Sequence, residues 1–278
     1  MPVLTFSKWS SGGNTTIFLH DAGGSPHRQA ALARAALDPG LLGAEQAGTV
    51  SLAGRSLRMA GGEFCVNASR AFGALLALRA PARQGLFETE VRVSGWEGPV
   101  ALTVRGTAPR WEVSARLALP PWTAPRRCAA LGAEARLVRL PGISHLLLPL
   151  DGAPPPRDLT GAARAALEAA GLLGEPAAGA VWWQPAAGGA AMTPVVHVRD
   201  AGTIVAENAC GSGALALALE LARRHGRREC DLAQPSGSLL RVRVAPPDAA
   251  GRVEAGITGP VTLLARGRLW LDAAGGED

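Results

Sequence analysis

Two similar segments, about half a chain apart, constrain this protein more than any other feature of its sequence. The first, GGEFCVNASRAFGALLAL, begins at Gly61, and the second, AENACGSGALALALELA, begins at Ala206. Each contains a cysteine, Cys65 or Cys210, followed by small or polar residues and then an apolar helical run. This internal similarity predicts two similar halves, each of which presents one thiol at the start of a helix.

Both helical and strand periodicities are present, so the sequence predicts a mixed α/β (α+β) fold. We expect helices over residues 69–79, 159–170 and 214–225, and short strands over residues 15–19, 91–93 and 101–104. The proline-rich stretch 119–125 is the expected domain boundary, because proline stops helices and interrupts strand ladders. A second proline-rich stretch, 153–156, is either another connector or a surface loop inside the second half.

Composition excludes several classes of protein. The chain has 278 residues and 47% hydrophobic residues, enough for one large domain or two small ones. It has no signal-like N-terminus and no apolar run of roughly 18 residues, so we expect a cytoplasmic protein without membrane contact. The net charge of +5 is scattered among acidic residues, which argues against nucleic acid as a partner.

Cofactor and metal classes are constrained by two residue types. Lys8 is the only lysine, and it lies in no motif for the Schiff base that pyridoxal phosphate requires. The four cysteines show neither a CxxC pair nor the spacing of a zinc site. We therefore expect no cofactor and no metal, and we expect Cys128 and Cys230 to be packed structural residues.

A thiol at a helix start is suited to proton transfer. Unpaired N–H groups and the positive end of the helix dipole bind a carboxylate and favour a thiolate. Inversion of a stereocentre requires a base on one face of the carbon and an acid on the other, and one thiolate with one thiol fulfils both roles. We predict Cys65 and Cys210 as this catalytic pair, titrating as coupled groups.

These segments resemble the diaminopimelate epimerase family of cofactor-independent, two-cysteine racemases and epimerases, over nearly the whole chain. GGNTTIFLHD from Gly12 resembles the family's opening strand motif, with Asn14 at its asparagine. The Cys65 and Cys210 segments resemble the two catalytic-cysteine motifs, and ACGSGA from Ala209 is the closest match. QPSGSL from Gln234 and ITGPV from Ile257 resemble the family's late strands.

The resemblance implies two pseudo-symmetric halves, each a strongly curved, mostly antiparallel, barrel-like sheet around a central helix, with the active site in the cleft between domains. The implied domains are residues 1–118 with 264–278, which hold Cys65, and residues 119–263, which hold Cys210. A homodimer, common in the family, is implied without any interface signature in the sequence. The substrate-binding residues implied or proposed on this basis are Asn14, Glu63, Asn67, Ala68, His145, Asp200, Gly211 and Ser212.

Departures from the family pattern bear on the substrate. The glycine that follows the first cysteine in diaminopimelate epimerases is Val66 here. The positions that grip the distal end of diaminopimelate align with Met59, Ile143, Gly179 and Ala201, none of which can bind a second amino-carboxylate. The GGEFC segment is similar to that of the histidine racemases of metallophore pathways, so we expect histidine as the substrate, with Glu63 as a candidate contact for its side chain.

Three alternatives remain open from the sequence. The first is a diaminopimelate epimerase with unusual distal contacts. The second is an isomerase of a non-amino-acid metabolite on the same fold. The third is a zinc-binding or structural protein in which Cys65, Cys210 and His145 are ligands.

Overall fold

The computed structural model describes residues 3–80, 85–121, 125–128 and 135–271. These residues form a mixed α/β fold, as predicted. The four helices are α1 (Pro26–Ala35), α2 (Val66–Arg79), α3 (Leu159–Ala169) and α4 (Gly211–His225). The strands are β1 (Val3–Ser11), β2 (Asn14–His20), β3 (Gln46–Ser51), β4 (Ser56–Met59), β5 (Leu86–Val93), β6 (Val100–Thr107), β7 (Arg110–Leu119), β8 (Arg126–Arg127), β9 (Arg136–Leu140), β10 (Ile143–Pro149), β11 (Ala177–Ala186), β12 (Gly189–Val198), β13 (Thr203–Ala206), β14 (Glu229–Ala233), β15 (Leu239–Val244) and β16 (Val253–Trp270).

The chain divides into two compact units, one comprising Met1–Ala115 and Pro260–Asp278, the other Arg116–Gly259. In the first unit, eight strands close into a barrel in the order β1-β2-β3-β4-β5-β6-β7-β16, with β16 pairing back onto β1. Helix α2 contacts β1, β2, β5 and β6 and is buried on every side from Val66 to Leu76. The helix therefore lies enclosed by its sheet, and its buried polar residues Asn67, Ser69 and Arg70 must find their partners inside the unit.

The second unit contains the strand order β15-β14-β12-β11-β10-β9-β8, with β13 paired to β12. Helix α4 packs on β9, β10, β14 and β15, and α3 packs on β11, β12 and β13. The core between α3 and its sheet includes Leu146, Leu167, Trp182 and Val195.

The two units share one order of elements. In the first, the pairs β1–β2, β2–β3, β3–β4, β4–β5 and β5–β6 alternate between antiparallel and parallel, beginning with antiparallel. In the second, β9–β10, β10–β11, β11–β12, β12–β14 and β14–β15 alternate in the same way. The cysteine-led helices α2 and α4 hold equivalent places in this order, each connecting the fourth strand of its series to the fifth.

The predicted helices are confirmed, although α2 and α4 each begin three residues earlier than expected, at Val66 and Gly211. Gly226 ends α4 in the left-handed conformation, with a φ of 65°. Helix α1 was not predicted, although Ser25 caps it and Pro26 opens it, which is a recognisable start signal.

The connector stretches are only partly described. Within residues 119–125, positions 122–124 lie outside the described residues. Residues 153–156 form a loop between β10 and α3, inside the second unit, in which 153–155 are exposed and Pro156 is half-buried. No helix in the described ranges is long and apolar enough to cross a membrane.

Candidate active site

Cys65 is the N-cap residue of α2. Its backbone is extended, with φ −129° and ψ 109°, and its Sγ accepts a hydrogen bond from the N–H of Ala68 at 3.3 Å. The thiol lies 3.1 Å from Oε1 of Gln46, at the start of β3. Sulfur thus takes the capping role usually played by a Ser, Thr or Asp oxygen, and this holds the thiol at the positive end of the helix.

Cys210 caps α4 with nearly identical geometry. Its φ is −129° and its ψ is 108°, and its Sγ accepts from the N–H of Gly213 at 3.4 Å. The N–H of Cys210 itself donates to Oε1 of Gln234 at 2.9 Å. The predicted placement of one thiol at each of two helix starts is confirmed, and the catalytic role of the two thiols stays a prediction.

The second turn of α2 contains a buried cation that bonds the first turn. Arg70 is fully buried, and its Nη2 donates to Oδ1 of Asn67 at 3.0 Å. The Nε and Nη1 atoms of Arg70 find no hydrogen-bond partner among the described residues. Because arginine has only donors, it fixes the oxygen of the Asn67 amide toward itself and turns the amide NH₂ group away. Asn67 is therefore held as a donor in a fixed orientation.

The first turn of α4 is bound to a buried histidine instead. Nε2 of His145, on β10, lies 2.9 Å from Oγ of Ser212, and this hydroxyl lies 3.6 Å from Sγ of Cys210. Burial lowers the pKa of His145 to about 3, so the imidazole is neutral. Gly179 faces this ring across the β10–β11 pair, where a Cβ would come within 2.3 Å of Nδ1.

Two buried glutamates accompany the cysteines. Burial raises the pKa of Glu63 to about 6, while N–H groups of Glu63 and Gly61 partly oppose the rise. Glu207 hydrogen-bonds the Cys210 thiol. Burial raises the pKa of that thiol well above its usual range, and the negative charge and hydrogen bond of Glu207 raise it further.

The remaining predicted residues lie in different surroundings. Asn14 is fully buried at the start of β2, paired with Ser11 across the β1–β2 hairpin, and the Ser11 hydroxyl donates to the carbonyl of Asn67 at 2.9 Å. Asp200 lies in an exposed turn between β12 and β13 and forms an ion pair with Arg199 at 2.7 Å. The hairpin is therefore tied to the first turn of α2, whereas Asp200 faces solvent.

Three residues of this site were missed from the sequence. Arg70 had a usable signal, since it is the one charged residue in the apolar run that follows Cys65. The sequence contains no such signal for Gln46 and Gln234, because their contacts depend on strand pairing rather than on local spacing. Over the described part of the chain, no cluster of three or more His, Cys, Asp or Glu side chains is arranged to hold a metal ion.

Comparison with known proteins decides the family. A family model described as "Histidine racemase CntK N-terminal domain" matches residues 3–270. The chain belongs to this histidine racemase family. The predicted resemblance is thereby confirmed, and the protein is an isomerase of the racemase and epimerase kind. Histidine racemases from two strains of Fusobacterium nucleatum subsp. nucleatum are 27% and 26% identical over 271 residues, covering 97% of this chain and 97% and 98% of theirs.

Solved structures show the same fold beyond this histidine racemase family. A hydroxyproline epimerase from Agrobacterium vitis superposes with a TM-score of 0.69 at 12% identity, covering 96% of this chain and 92% of its own. A PhzF-family phenazine biosynthesis protein from Bacillus anthracis gives a TM-score of 0.66 at 11% identity, covering 98% and 100%. At these identities the likeness shows the epimerase-like fold alone.

Proposed function

We propose that this protein racemises a free amino acid, with Cys65 and Cys210 exchanging the α-proton from opposite faces of the substrate. The observation that carries the proposal is the matched pair of thiol caps. The two cysteines, each at the start of the helix between the fourth and fifth strands of its series, have the same backbone conformation and the same N–H···Sγ contact from the third helical residue. A packed structural cysteine requires no such match, whereas an acid and a base acting on one carbon do.

The substrate carboxylate is proposed to bind at the two helix starts. The N–H groups of a first helical turn lack partners within the helix and favour an anion. Gly211 and Ser212 supply such groups in α4, and the oriented Asn67 amide supplies a donor at α2. In α2 the Ala68 N–H already donates to Cys65 Sγ, so its main role is to position the thiol beside the carboxylate site. Charge that develops on the carboxylate during proton removal is stabilised by these fixed donors.

Histidine is the proposed substrate. The relatives that match along nearly the whole chain are histidine racemases. Met59 and Ile143, two positions aligned with the distal contacts of diaminopimelate epimerases, are buried apolar side chains. The buried carboxyl groups of Glu63 and Glu207 are proposed acceptors for an imidazole N–H. Asn14 and His145 are proposed to support the two first turns, and Asp200 to contact the substrate from its exposed turn.

The wider setting rests on the resemblance alone. Two pseudo-symmetric domains with the boundaries given above, an active site in the cleft between them, a homodimer, a cytoplasmic location and a part in metallophore biosynthesis are proposals of this kind. No cofactor enters the proposed reaction. The single lysine, Lys8, donates to the carbonyls of Leu42 and Gly43 at 2.6 Å and 3.0 Å.

The test is α-proton exchange in heavy water under reducing conditions, with a panel of L-amino acids that includes histidine and LL- and meso-diaminopimelate. We expect exchange and racemisation of histidine by the wild type, and at least a 10³-fold loss (on the order of the effect of removing an acid–base group) in Cys65→Ser and in Cys210→Ser. The double variant Cys128→Ser/Cys230→Ser is the matched control and should racemise like the wild type.

Other outcomes separate the alternatives. Exchange of diaminopimelate without histidine would identify a diaminopimelate epimerase. Wild-type racemisation by either active-site serine variant would contradict the two-thiol assignment. No exchange of any amino acid would favour a ligand of another chemical class.

A further inference from the structure

The two thiol caps differ in the charges around them, although their backbone geometry is the same. The residue five positions after Cys65 is Arg70, whereas the residue five positions after Cys210 is Leu215. The residue three positions before Cys210 is Glu207, a buried carboxyl that bonds the thiol. One thiol therefore has a buried cation in its helix, and the other has a buried acid beside it.

Arg70 carries a charge that no carboxylate among the described residues balances. Burial lowers the pKa of its guanidinium to about 10, and interaction with Cys65 acts in the opposite direction, so the group remains a cation at neutral pH. Within the described residues it forms no ion pair with Asp or Glu, and Asn67 is its hydrogen-bond partner. Burying a charge without a counter-ion is strongly unfavourable, because the charge loses its hydration without gaining a partner. A thiolate at Cys65 would offset much of this cost.

The other ionisable groups near α2 do not supply this counter-charge. Those on the strands packed against the helix, β1, β2, β5 and β6, are Lys8, His20, Glu88, Glu90, Arg92 and Arg105. Lys8 binds loop carbonyls, His20 bonds Ser7, and the other four are exposed. Glu63 owes its raised pKa to burial, and its carboxylate is bound by the N–H of Gly61. The amide of Gln46 can turn its oxygen toward a thiol or its NH₂ toward a thiolate.

Among the described residues, the strands packed against α4 place no buried cation beside Cys210. Those on the packed strands β9, β10, β14 and β15 are Arg136, Arg139, His145, Glu229, Cys230, Asp231, Arg241 and Arg243. Arg136 is buried, and it pairs with Glu220 far along the helix. His145 is neutral, and the remaining arginines on these strands are exposed. A thiolate at Cys210 would therefore face the Glu207 carboxylate with only N–H and hydroxyl donors to support it.

We propose that in the resting enzyme Cys65 is the thiolate and Cys210 is the thiol, with Arg70 as the buried counter-ion of Cys65. This inference rests on the proposed two-thiol function and assigns its starting state. In the first step the Cα–H bond breaks and its proton forms the S–H bond of Cys65. The S–H bond of Cys210 breaks and its proton forms the new Cα–H bond on the opposite face. The enzyme is then left with the less favourable charge arrangement, a thiolate beside Glu207, until proton exchange with water resets it.

Thiolate absorbance in the ultraviolet, followed against pH without substrate, tests the assignment. In a Cys128→Ser/Cys230→Ser background, Cys210→Ser leaves Cys65 as the only thiol, and Cys65→Ser leaves Cys210. We expect the Cys65 thiolate to appear at a pH lower by at least about one unit, the scale of shift that a neighbouring charge causes. Equal midpoints, or a lower midpoint for Cys210, would overturn the proposal.

Two substitutions assign the cause. Arg70→Met in the Cys65-only protein should raise the ionisation midpoint of Cys65 by about one pH unit or more. Arg70→Lys keeps the positive charge, so its midpoint should stay close to that of the protein with Arg70. Leu215→Met, at the matching position in the Cys210-only protein, should leave that midpoint unchanged. Glu207→Gln should lower the Cys210 midpoint, and it provides an independent reading if Arg70→Met does not fold. An unmoved midpoint in both Arg70→Met and Glu207→Gln would refute these charges as the cause.

The titration needs no turnover, so its outcome is separate from that of the racemisation assay. A protein with the expected order of midpoints and no racemase activity would contradict the proposed function and leave the charge assignment intact. A protein that racemises histidine but shows equal ionisation midpoints would support the proposed function and contradict the charge assignment.

Discussion

At the scale of single residues, Gly179 provides the space that the His145 ring occupies. In the sequence, Gly179 aligns with a position that contacts the distal end of diaminopimelate, and this suggested only that the contact is lost here. In the structure, a Cβ there would lie 2.3 Å from Nδ1 and 2.7 Å from Cε1 of His145, distances that no packed pair tolerates. The residue is therefore small because of its neighbour on β10.

We predict that Gly179→Ala displaces the His145 ring from Ser212 and lowers the free energy of unfolding by about 1–3 kcal/mol, the usual cost of overpacking a core. Urea denaturation measures this change. Gly256→Ala is the matched control, because a Cβ at that strand position meets no atom within 4 Å. Equal stability of the two variants would show that the ring moves aside without cost.

At the scale of single elements, α4 contains a buried acid among arginines. Glu220 is 1% exposed and lies 3.8 Å from Arg136, which is itself buried, and within 4 Å of Arg223 and Arg224. Removing one member of a buried ion pair leaves the other charge uncompensated.

We therefore expect Glu220→Ala to lower the free energy of unfolding by about 3 kcal/mol or more. Glu229→Ala, which removes an exposed partner of Arg243, should change it by less than about 1 kcal/mol. Thermal or urea unfolding of the two variants tests the contrast. A change of less than about 1 kcal/mol in Glu220→Ala would mean that the arginines reach solvent when the acid is removed.

The elements also show what the sequence could and could not predict. Helices α2, α3 and α4 were predictable because long apolar runs carry helical periodicity, and both cysteines were placed correctly at helix starts. Their first turns were set three residues too late, since cysteine is not an expected cap. Helix α1 was missed because it is short and buries only Leu32 and Ala33, which leaves a weak pattern. The contacts of Gln46 and Gln234 follow from strand register, which local sequence does not encode.

At the scale of the whole molecule, the repeated cysteine segment was enough to predict two similar halves, and the shared order of strand pairs agrees with that expectation. The closure of eight strands into a barrel, with β16 returning to β1, was not predictable from periodicity. That pairing joins residues from opposite ends of the chain, and its register is fixed by long-range contacts rather than by neighbours in sequence.

Global stability should depend on pH through His145. Its pKa is lowered from 6.5 to about 3 in the folded state, so below pH 6.5 the unfolded chain takes up a proton that the folded protein does not. Above pH 6.5 this group does not lower the free energy of unfolding. As the pH falls, the free energy of unfolding decreases, by about 3 kcal/mol between pH 6.5 and pH 4. Glu63 acts in the opposite sense, because its raised pKa makes stability fall as the pH rises from 4.5 toward 6.

The comparison of wild type with His145→Asn isolates the histidine contribution. We expect the variant to lose less stability than the wild type between pH 6.5 and pH 4, measured as the free energy of unfolding in urea. His27→Asn, at an exposed histidine, should follow the wild-type curve. Parallel curves for wild type and His145→Asn would mean that the folded imidazole accepts a proton as readily as the unfolded one.

The most direct test of two-thiol racemisation is where deuterium enters at low conversion of L-histidine in heavy water. Two thiols acting from opposite faces remove the proton with one group and return a solvent-derived deuteron with the other. We expect deuterium at Cα of the D-histidine formed, while the L-histidine recovered keeps its proton. Deuterium entering recovered L-histidine as fast as it enters D-histidine would indicate one base serving both faces and would contradict the paired roles of Cys65 and Cys210.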